Sequence, residues 1–193
     1  MKDAILRKAR ESQRETEAFF TAAAGEIERC ARALAERLAA GGRLFTMGNG
    51  GSACDAVHAA VEFQHPIFEK RRPFPAQSLA ADPALMSAIG NDTDFSRVFA
   101  DALRVNARRG DAVLAISTSG QSANVTRGLE AARELQLLTI AFTGKDGGRV
   151  ARLADHAFVV PSWSIHRIQE VHVVLLHVLW DCVHICQGED DII

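Results

Sequence analysis

Short apolar segments alternate with helical segments along this chain, and that alternation constrains the fold more than any other feature. In the second half, residues 112–116, 137–142 and 156–160 are apolar, and a polar loop and a helical pattern follow each of them. Short apolar strands separated by helices indicate βαβ units and a parallel sheet covered on both faces. With earlier strands predicted near residues 43–47 and 77–80, the expected fold class is α/β, a doubly wound five-stranded parallel sheet.

Helical segments account for much of the remaining sequence. Residues 1–40 carry an apolar stripe at helical spacing, and Gly41-Gly42 ends it. Ser52 is a candidate cap for a helix that runs to about Phe63. A short helix opens at Asp82-Pro83, before a turn predicted at Asn91-Asp92. The other predicted helices span residues 95–107, 123–135, 150–153 and 165–186.

The length and composition fit a single domain. The chain has 193 residues, of which 48% are hydrophobic, so it contains enough apolar side chains for a packed core. It shows no internal repeat and no low-complexity linker. We therefore predict one domain over residues 1–193, with residues 1–40 as an added N-terminal helical extension and residues 188–193 as a mobile tail.

The charge pattern argues against two classes of partner. The net charge is −2, and no basic stripe interleaved with aromatic residues is present, so we expect no nucleic acid partner. The first segment, MKDAILRKARESQRETEAFF, is charged throughout, unlike a signal peptide. No uninterrupted apolar run approaches the roughly 20 residues of a membrane span. We therefore expect a cytoplasmic protein without a membrane partner.

The cysteines give no sign of a disulfide framework. None of them forms a C-x-x-C pair, and a chain of this size does not need disulfide bonds for stability. Cys182 and Cys186 flank His184, which leaves a metal site open as an alternative. Two thiols on the buried face of an amphipathic helix are the favoured interpretation.

A cluster of hydroxyl groups follows the strand predicted at residues 112–116. The hydroxyl loop, Ser117-Thr118-Ser119-Gly120-Gln121-Ser122, places four hydroxyls where free N–H groups and the positive end of a helix dipole converge. Hydroxyls and amides together can surround a phosphate without a lysine. Capping the next helix needs only one such residue, so the cluster favours an anion site.

A glycine-rich loop, Gly48-Asn49-Gly50-Gly51-Ser52-Ala53, follows the first predicted strand. It formally satisfies the G-x-G-x-x-A pattern, so a dinucleotide site is the main alternative. The acidic residue that such a site needs about 20 positions later falls at Glu69-Lys70-Arg71-Arg72, inside a loop. A Walker A motif is excluded because no Gly-Lys-[Ser/Thr] follows. Close approach of the backbone to a sugar phosphate explains the glycines better.

Two predicted helices carry groups that could perform acid–base chemistry. His58 and Glu62 are spaced i, i+4 within the apolar segment AVHAAVEF, where a carboxylate is desolvated and suited to proton transfer. The alternative is a surface pair worth a few tenths of a kcal/mol. His58, Glu62 and His177 also make a reasonable set of zinc ligands. Gln169 lies about 12 Å from His177 along the last helix, so both reach one ion only if it lies between them.

Five segments of the sequence together carry a family resemblance. They are GNGGSACDAVHAAVEF (48–63), GND (90–92), GDAVLAISTSGQSANV (110–125), TGKDGG (143–148) and RIQEVHVVLLH (167–177). In their order and spacing they resemble the bacterial phosphoheptose isomerase family of SIS-domain proteins. ISTSG-x-SANV and RIQE-x-H together are highly specific, and the resemblance covers essentially the whole chain.

The resemblance implies a homotetramer with active sites between subunits and sedoheptulose 7-phosphate as substrate. The implied product, D-glycero-D-manno-heptose 7-phosphate, forms through an enediol(ate), with Glu62 as the general acid/base and His177 as its partner. One zinc ion per subunit is implied, held by His58, Glu62, Gln169 and His177. The implied substrate contacts are Asn49, Gly50, Gly51, Ser52, Asp92, Ser117, Thr118, Ser119, Ser122 and Gln169.

The sequence departs from the family pattern in two places. Many members have a T-G-R-[FY] stretch after the glutamate, whereas this chain has Gln64-His65-Pro66-Ile67. The arginine of that stretch, which can approach the substrate in the family, is absent here. Lys70, Arg71 or Arg72 is the alternative cation for this contact. Many members also have an acidic residue where His166 stands in this chain.

Other functions remain open on sequence grounds. The resemblance extends to a non-catalytic paralogue that binds the bacterial replication initiator, but His58, Glu62 and His177 are all kept here, which favours an enzyme. A sugar-phosphate sensor would bind without turnover, and its usual DNA-binding module does not fit in this chain. An isomerase of another sugar phosphate is also open, because the motifs do not specify the length of the sugar.

Overall fold

Helices and strands alternate along the chain. The computed structural model describes residues 1–67 and 70–192. The helices are α1 (Lys2–Ala39), α2 (Gly51–Gln64), α3 (Pro83–Asp92), α4 (Val98–Asn106), α5 (Ala123–Glu134), α6 (Gly148–Leu153) and α7 (Ile165–Cys186). The strands are β1 (Leu44–Gly48), β2 (Ala76–Ser78), β3 (Ala112–Ser117), β4 (Leu138–Gly144) and β5 (His156–Val160). Two short 3₁₀ segments, Leu79–Ala81 and Phe95–Arg97, precede α3 and α4.

The strands form one parallel sheet of five strands in the order β2-β1-β3-β4-β5. The predicted α/β class, with a doubly wound five-stranded parallel sheet and an added N-terminal helix, is confirmed. The chain passes from β1 to β2 on one side and then crosses to β3 on the other side. Ligands of open α/β sheets bind beyond the carboxyl ends of the strands where the winding reverses, which here is between β1 and β3.

Two hydrophobic clusters cover the two faces of the sheet. Leu114 and Ile116 of β3 belong to the cluster formed with α1, α2 and α7. Val113 and Ala115 belong to the cluster on the opposite face, formed with α4 and α5. Alternate residues of a strand point to opposite faces, and burial of both faces explains why β3 reads as a continuous apolar run.

Two predictions about helix ends are wrong. Ser52 does not cap α2, because it is buried as the second residue of that helix and the N-cap is Gly50. Gly50 has φ 55°, a conformation that residues with a Cβ rarely adopt, so glycine suits this N-cap position. The helix begins at Gly51, earlier than predicted. Asn91 and Asp92 do not form a turn but complete α3, which ends where the N–H and hydroxyl of Thr93 donate back to a carbonyl of the last turn.

Helix α7 belongs to the core of the protein. Among residues 1–67 and 70–192, it is the one helix that is long and apolar enough to cross a membrane by length and composition. However, 56% of its most apolar stretch is buried inside the protein, where α7 packs against α1, α2 and β4. A core helix passes the same test of composition, so this feature is no argument for a membrane span.

The two ends of the chain both contact α7 or the loop beside it. The hydroxyl of Ser12 in α1 donates to Glu170 of α7 at 2.7 Å. Near the other end, the carbonyl of Asp190 accepts a hydrogen bond from Arg71 at 2.8 Å. The division of the chain into an extension, a domain and a tail stays a prediction, and Ile193 of the predicted tail lies outside the described residues.

Candidate active site

A reciprocal pair of amide hydrogen bonds joins the loops after β1 and β3. Asn49 and Asn124 each donate Nδ2–H to the other's Oδ1 at 2.8 Å. Asn49 directly follows β1, and Asn124 is buried in the first turn of α5. The pair therefore connects the glycine-rich loop with the hydroxyl loop at the point where the winding of the sheet reverses.

The hydroxyl loop runs from the end of β3 to the start of α5. The Oγ of the buried Ser117 lies 3.1 Å from the Oγ of Ser122, and Thr118 and Ser119 are half-buried. Ser122 occupies the N-cap position of α5, but its side chain makes no capping hydrogen bond. The alternative in which Ser122 only caps the helix is therefore not supported.

At Gly120 the backbone of the hydroxyl loop packs closely against the loop after β4. Gly120 has φ 63°, and a Cβ placed on it would lie 2.2 Å from the carbonyl oxygen of Gly147. The Gly120 carbonyl accepts a hydrogen bond from Val150 N–H at 3.0 Å. The hydroxyl loop and the segment TGKDGG are therefore locked together, and glycine is the residue that this close approach permits.

His58, Glu62 and His177 come together where α2 meets α7. His58 Nε2 lies 3.1 Å from Glu62 Oε1, and the rings of His58 and His177 have centroids 5.0 Å apart. One potential ligand atom from each of the three side chains lies within 4.8 Å of the other two. All three are half-buried, so a small ligand can reach them. In the described part of the chain, no other three His, Cys, Asp or Glu side chains converge in this way.

Three of the four histidines of α7, His172, His177 and His184, differ in their surroundings. His172 is buried, its Nε2 bonds to the Thr143 carbonyl at 3.0 Å, and burial lowers the pKa of its ring to about 4. His184 is also buried and bonds through Nδ1 to Glu189 at 3.0 Å, and burial lowers its pKa. Both rings are therefore neutral and internally bonded, and of these three histidines His177 is the one at the candidate site.

The alternative metal site around His184 does not form in the described residues. Cys182 and Cys186 are half-buried and pack against the larger hydrophobic cluster. Burial raises the pKa of the Cys182 thiol, which disfavours the thiolate that binds a metal. The interpretation of these two thiols as core-facing residues fits their positions.

Gln169 lies beside the start of α2, near the glycine-rich loop. A Cβ placed on Gly51 would lie 2.3 Å from Gln169 Nε2, so the absence of a side chain at Gly51 makes room for this amide. His177 instead lies beside His58, and the two positions are about 12 Å apart along α7. Gln169 is thus placed to contact a ligand of the glycine-rich loop, and its role in holding a metal stays a prediction.

Among the described residues, no hydrogen bond joins Asp92 to the other candidate site groups. Asp92 is the last residue of α3, it is exposed, and its carboxylate accepts a hydrogen bond from Asn91 at 2.8 Å. Helix α3 packs against α4 and the 3₁₀ segment Phe95–Arg97 that lies between the two helices. A role for Asp92 at the site stays a prediction.

The basic residues after α2 have different degrees of exposure. The Arg71 side chain is 2% exposed and donates from Nη2 to Asp181 at 2.5 Å, so the suggestion that it contacts the substrate is wrong. Lys70 and Arg72 are exposed. Glu69, the acidic residue of the alternative dinucleotide site, lies outside the described residues.

Sequence analysis missed two residues that shape the site. Asn124 holds Asn49, and its signal was an amide in the first turn of a helix at the end of a hydroxyl-rich loop. Asp55 lies one turn before His58 on α2 and is half-buried, and burial raises the pKa of its carboxyl group. Its signal was a charge in an otherwise apolar helix, on the same face as His58.

Relatives of known name resemble the chain over most of its length. The SIS domain model matches residues 9–144. A phosphoheptose isomerase of Aquifex aeolicus is 41% identical over 183 residues, which cover 95% of this chain and 96% of that protein. A phosphoheptose isomerase of Mycobacterium bovis is 45% identical over 153 residues, which cover 77% of this chain and 78% of that protein.

Solved structures agree with the sequence comparison. A phosphoheptose isomerase from Neisseria gonorrhoeae superimposes with a TM-score of 0.88 at 34% identity, covering 94% of this chain and 97% of that one. One from Francisella tularensis gives a TM-score of 0.90 at 32% identity, with the same coverage of 94% and 97%. The sequence comparison and the structure comparison both confirm the resemblance that the motifs indicated. The chain belongs to the phosphoheptose isomerase family of SIS-domain enzymes.

Proposed function

We propose that the protein converts D-sedoheptulose 7-phosphate to D-glycero-D-manno-heptose 7-phosphate, an aldose–ketose isomerisation. The observation that carries this proposal is the convergence of His58, Glu62 and His177 within 4.8 Å. The names of the relatives support the same class of reaction. A protein that only bound a partner or sensed a sugar phosphate would not need a carboxylate beside two imidazoles.

The phosphate of the substrate is assigned to the hydroxyl loop. This loop ends at the N-terminus of α5, where backbone N–H groups and the helix dipole favour an anion. The glycine-rich loop, fixed to it through the asparagine pair, is assigned to the sugar. The proposed substrate contacts are Asn49, Gly50, Gly51, Ser52, Asp92, Ser117, Thr118, Ser119, Ser122 and Gln169.

The isomerisation moves one hydrogen from C1 to C2 of the ketose. The Glu62 carboxylate takes the proton from C1, which gives the enediolate, and returns it to C2. His177 carries a proton between the two substrate oxygens, because an imidazole can both accept and donate a proton. The contact of His58 Nε2 with Glu62 Oε1 at 3.1 Å orients the carboxylate for this task.

The same side chains fit zinc. Two imidazole nitrogens and a carboxylate oxygen are ligands that zinc prefers. Neighbouring ligands of a tetrahedral zinc ion are about 3.3 Å apart; His58 Nε2 and Glu62 Oε1 lie 3.1 Å apart. We propose that His58, Glu62 and His177 hold the ion and that Gln169 completes the set, which requires the ion to lie between Gln169 and His177 or Gln169 to come from another subunit. A bound zinc ion would supply a Lewis acid that polarises the substrate oxygens.

Protein purified without chelator is expected to contain about one zinc ion per chain, because the three converging ligands need little rearrangement to bind it. Elemental analysis by mass spectrometry measures the metal directly. His58→Gln is expected to lose most of the zinc, whereas His65→Gln, at an exposed histidine just after α2, keeps it. Full activity in a metal-free preparation would contradict the Lewis-acid role.

We also propose a homotetramer with active sites between subunits. Helix α3 supports an assembly, because its sequence PALMSAIGND is largely apolar although none of its residues is buried within one chain. Light scattering is expected to give about four times the chain mass of 20.9 kDa. A mass near that of one chain would contradict the proposal.

Incubation with sedoheptulose 7-phosphate, followed by NMR, tests the proposed reaction directly. Appearance of the aldoheptose phosphate would establish the isomerase. No turnover by folded, zinc-loaded protein would contradict it and would favour either another sugar phosphate or a binding protein. Pentose and hexose phosphates in the same assay separate these two alternatives, because only an isomerase would convert one of them.

A further inference from the structure

The backbone carbonyl of Glu62 is held by a side chain from another helix. In an α-helix this carbonyl would accept from the N–H group four residues later, but that residue is Pro66, which has no N–H. Trp180 of α7 supplies the missing donor, because its Nε1–H bonds to the Glu62 carbonyl at 2.9 Å. Because this chain departs from the family pattern after Glu62, the Glu62 carbonyl lacks its helical donor, and Trp180 replaces that donor.

The neighbouring carbonyls of the last turn of α2 are satisfied by the backbone. His65 N–H donates to the Val61 carbonyl at 2.8 Å, and Phe74 N–H donates to the Phe63 carbonyl at 2.7 Å. The Glu62 carbonyl lies between these two. Without the indole, the backbone of the residue assigned to the proton transfer would lose its hydrogen bond to α7, and helix ends without such partners fray.

Trp180 is itself held rigidly. Its side chain is buried, the guanidinium carbon of Arg71 lies 4.7 Å from the indole ring centre, and the ring of His184 lies 4.8 Å from it. Arg71 is in turn fixed by Asp181, which accepts from Nη2 at 2.5 Å. A cation over the face of an indole is a favourable contact, and burial strengthens it.

The segment after α7 contacts Arg71 and His184, the two residues beside the indole. Glu189 Oε2 lies 3.0 Å from His184 Nδ1 and 3.8 Å from Arg71 Nε, so one carboxylate contacts both residues that flank the indole. The Asp190 carbonyl accepts from Arg71 Nη2 at 2.8 Å. Glu189 and Asp190 therefore contact both residues that flank the indole.

We propose that Trp180 is a positioning residue for Glu62 and that Arg71 and Glu189 lock its indole in place. This inference rests on the proposed function, in which Glu62 transfers the proton. The indole acts through the backbone of Glu62 and does not touch the reacting atoms. Its loss would let the carboxylate move relative to His177 and the substrate, and a misplacement of about 1 Å costs up to about 100-fold in rate.

Kinetics of Trp180→Phe test the positioning role. Phenylalanine keeps an aromatic ring in the core but removes the N–H donor, so kcat is expected to fall about tenfold with KM nearly unchanged. The matched control is Trp163→Phe, since Trp163 is 75% exposed. A merely structural role would lower the unfolding temperature without a selective loss in kcat. Equal kcat in the two variants would overturn the proposal.

Zinc binding provides a readout that does not depend on turnover. Glu62 is one of the three converging ligands, so Trp180→Phe is expected to weaken the affinity for zinc alone severalfold relative to Trp163→Phe. If the wild-type protein converted no sugar phosphate, the proposed function would fail while this comparison still tested the position of Glu62. Equal zinc affinity in both variants would then overturn the inference.

Hydrogen exchange tests the lock on the indole and covers the case in which Trp180→Phe does not fold. The chain has 2 tryptophans, so an NMR spectrum of indole N–H groups contains two signals, one exposed and one protected. Glu189→Gln is expected to speed the exchange of the Trp180 signal and to lower kcat about threefold. Unchanged exchange and unchanged kcat in Glu189→Gln would overturn the proposal that the last segment locks Trp180.

Discussion

Replacing Glu62 with glutamine is expected to lower kcat for the isomerisation by about 10³-fold while the protein stays folded. The amide keeps the shape of the side chain and its contact with His58, but it cannot take a proton from carbon. Because the side chain is only half-buried, little change in unfolding temperature is expected. The NMR assay with sedoheptulose 7-phosphate measures the turnover, and circular dichroism checks the fold.

Glu28→Gln provides the matched control for this substitution. The Glu28 side chain is 63% exposed in a surface pair with Arg32, far along the sequence from the candidate site. Normal turnover is expected in this variant, since exposed ion pairs contribute little to stability. Normal turnover in Glu62→Gln would remove Glu62 from the mechanism, and equal losses in both variants would indicate a general effect of charge.

The order of the elements could be predicted because each depends on a local pattern. Strand β5 and helix α7 have the predicted bounds, since periodicity and flanking turn residues mark both ends. The position of β1 between β2 and β3 could not be predicted in the same way. It follows from a reversal of winding, which depends on how distant elements pack and leaves no periodic signal in the sequence.

The candidate site was predictable to the extent that its parts are contiguous. The hydroxyl loop is visible because its residues adjoin one another. The asparagine pair is not, because Asn49 and Asn124 are 75 positions apart and neither lies in a pattern that points to the other. Likewise, Pro66 shows that a carbonyl of α2 lacks its helical donor, but not that a residue 118 positions after Glu62 replaces it.

Alanine at Gly120 is expected to lower the free energy of unfolding by about 3 kcal/mol and to raise KM for the phosphorylated sugar about tenfold. A positive φ costs a residue with a Cβ about 1 kcal/mol, and forcing extra atoms into a packed site costs about 1–3 kcal/mol. The added Cβ would lie 2.2 Å from the Gly147 carbonyl oxygen. Neither backbone can withdraw freely, because Gly120 also accepts from Val150 N–H. The hydroxyl loop must therefore shift.

Gly41→Ala separates the backbone strain from the steric clash. Gly41 has φ 85°, and nothing lies within 4 Å of a Cβ placed there, so alanine should cost about 1 kcal/mol and leave KM unchanged. Denaturant unfolding gives the stability of both variants, and the isomerisation assay gives KM. A Gly120→Ala enzyme with lower stability but normal KM would show that the hydroxyl loop does not hold the phosphate. A KM that is raised in Gly120→Ala but not in Gly41→Ala would instead show that phosphate binding depends on the position of the hydroxyl loop.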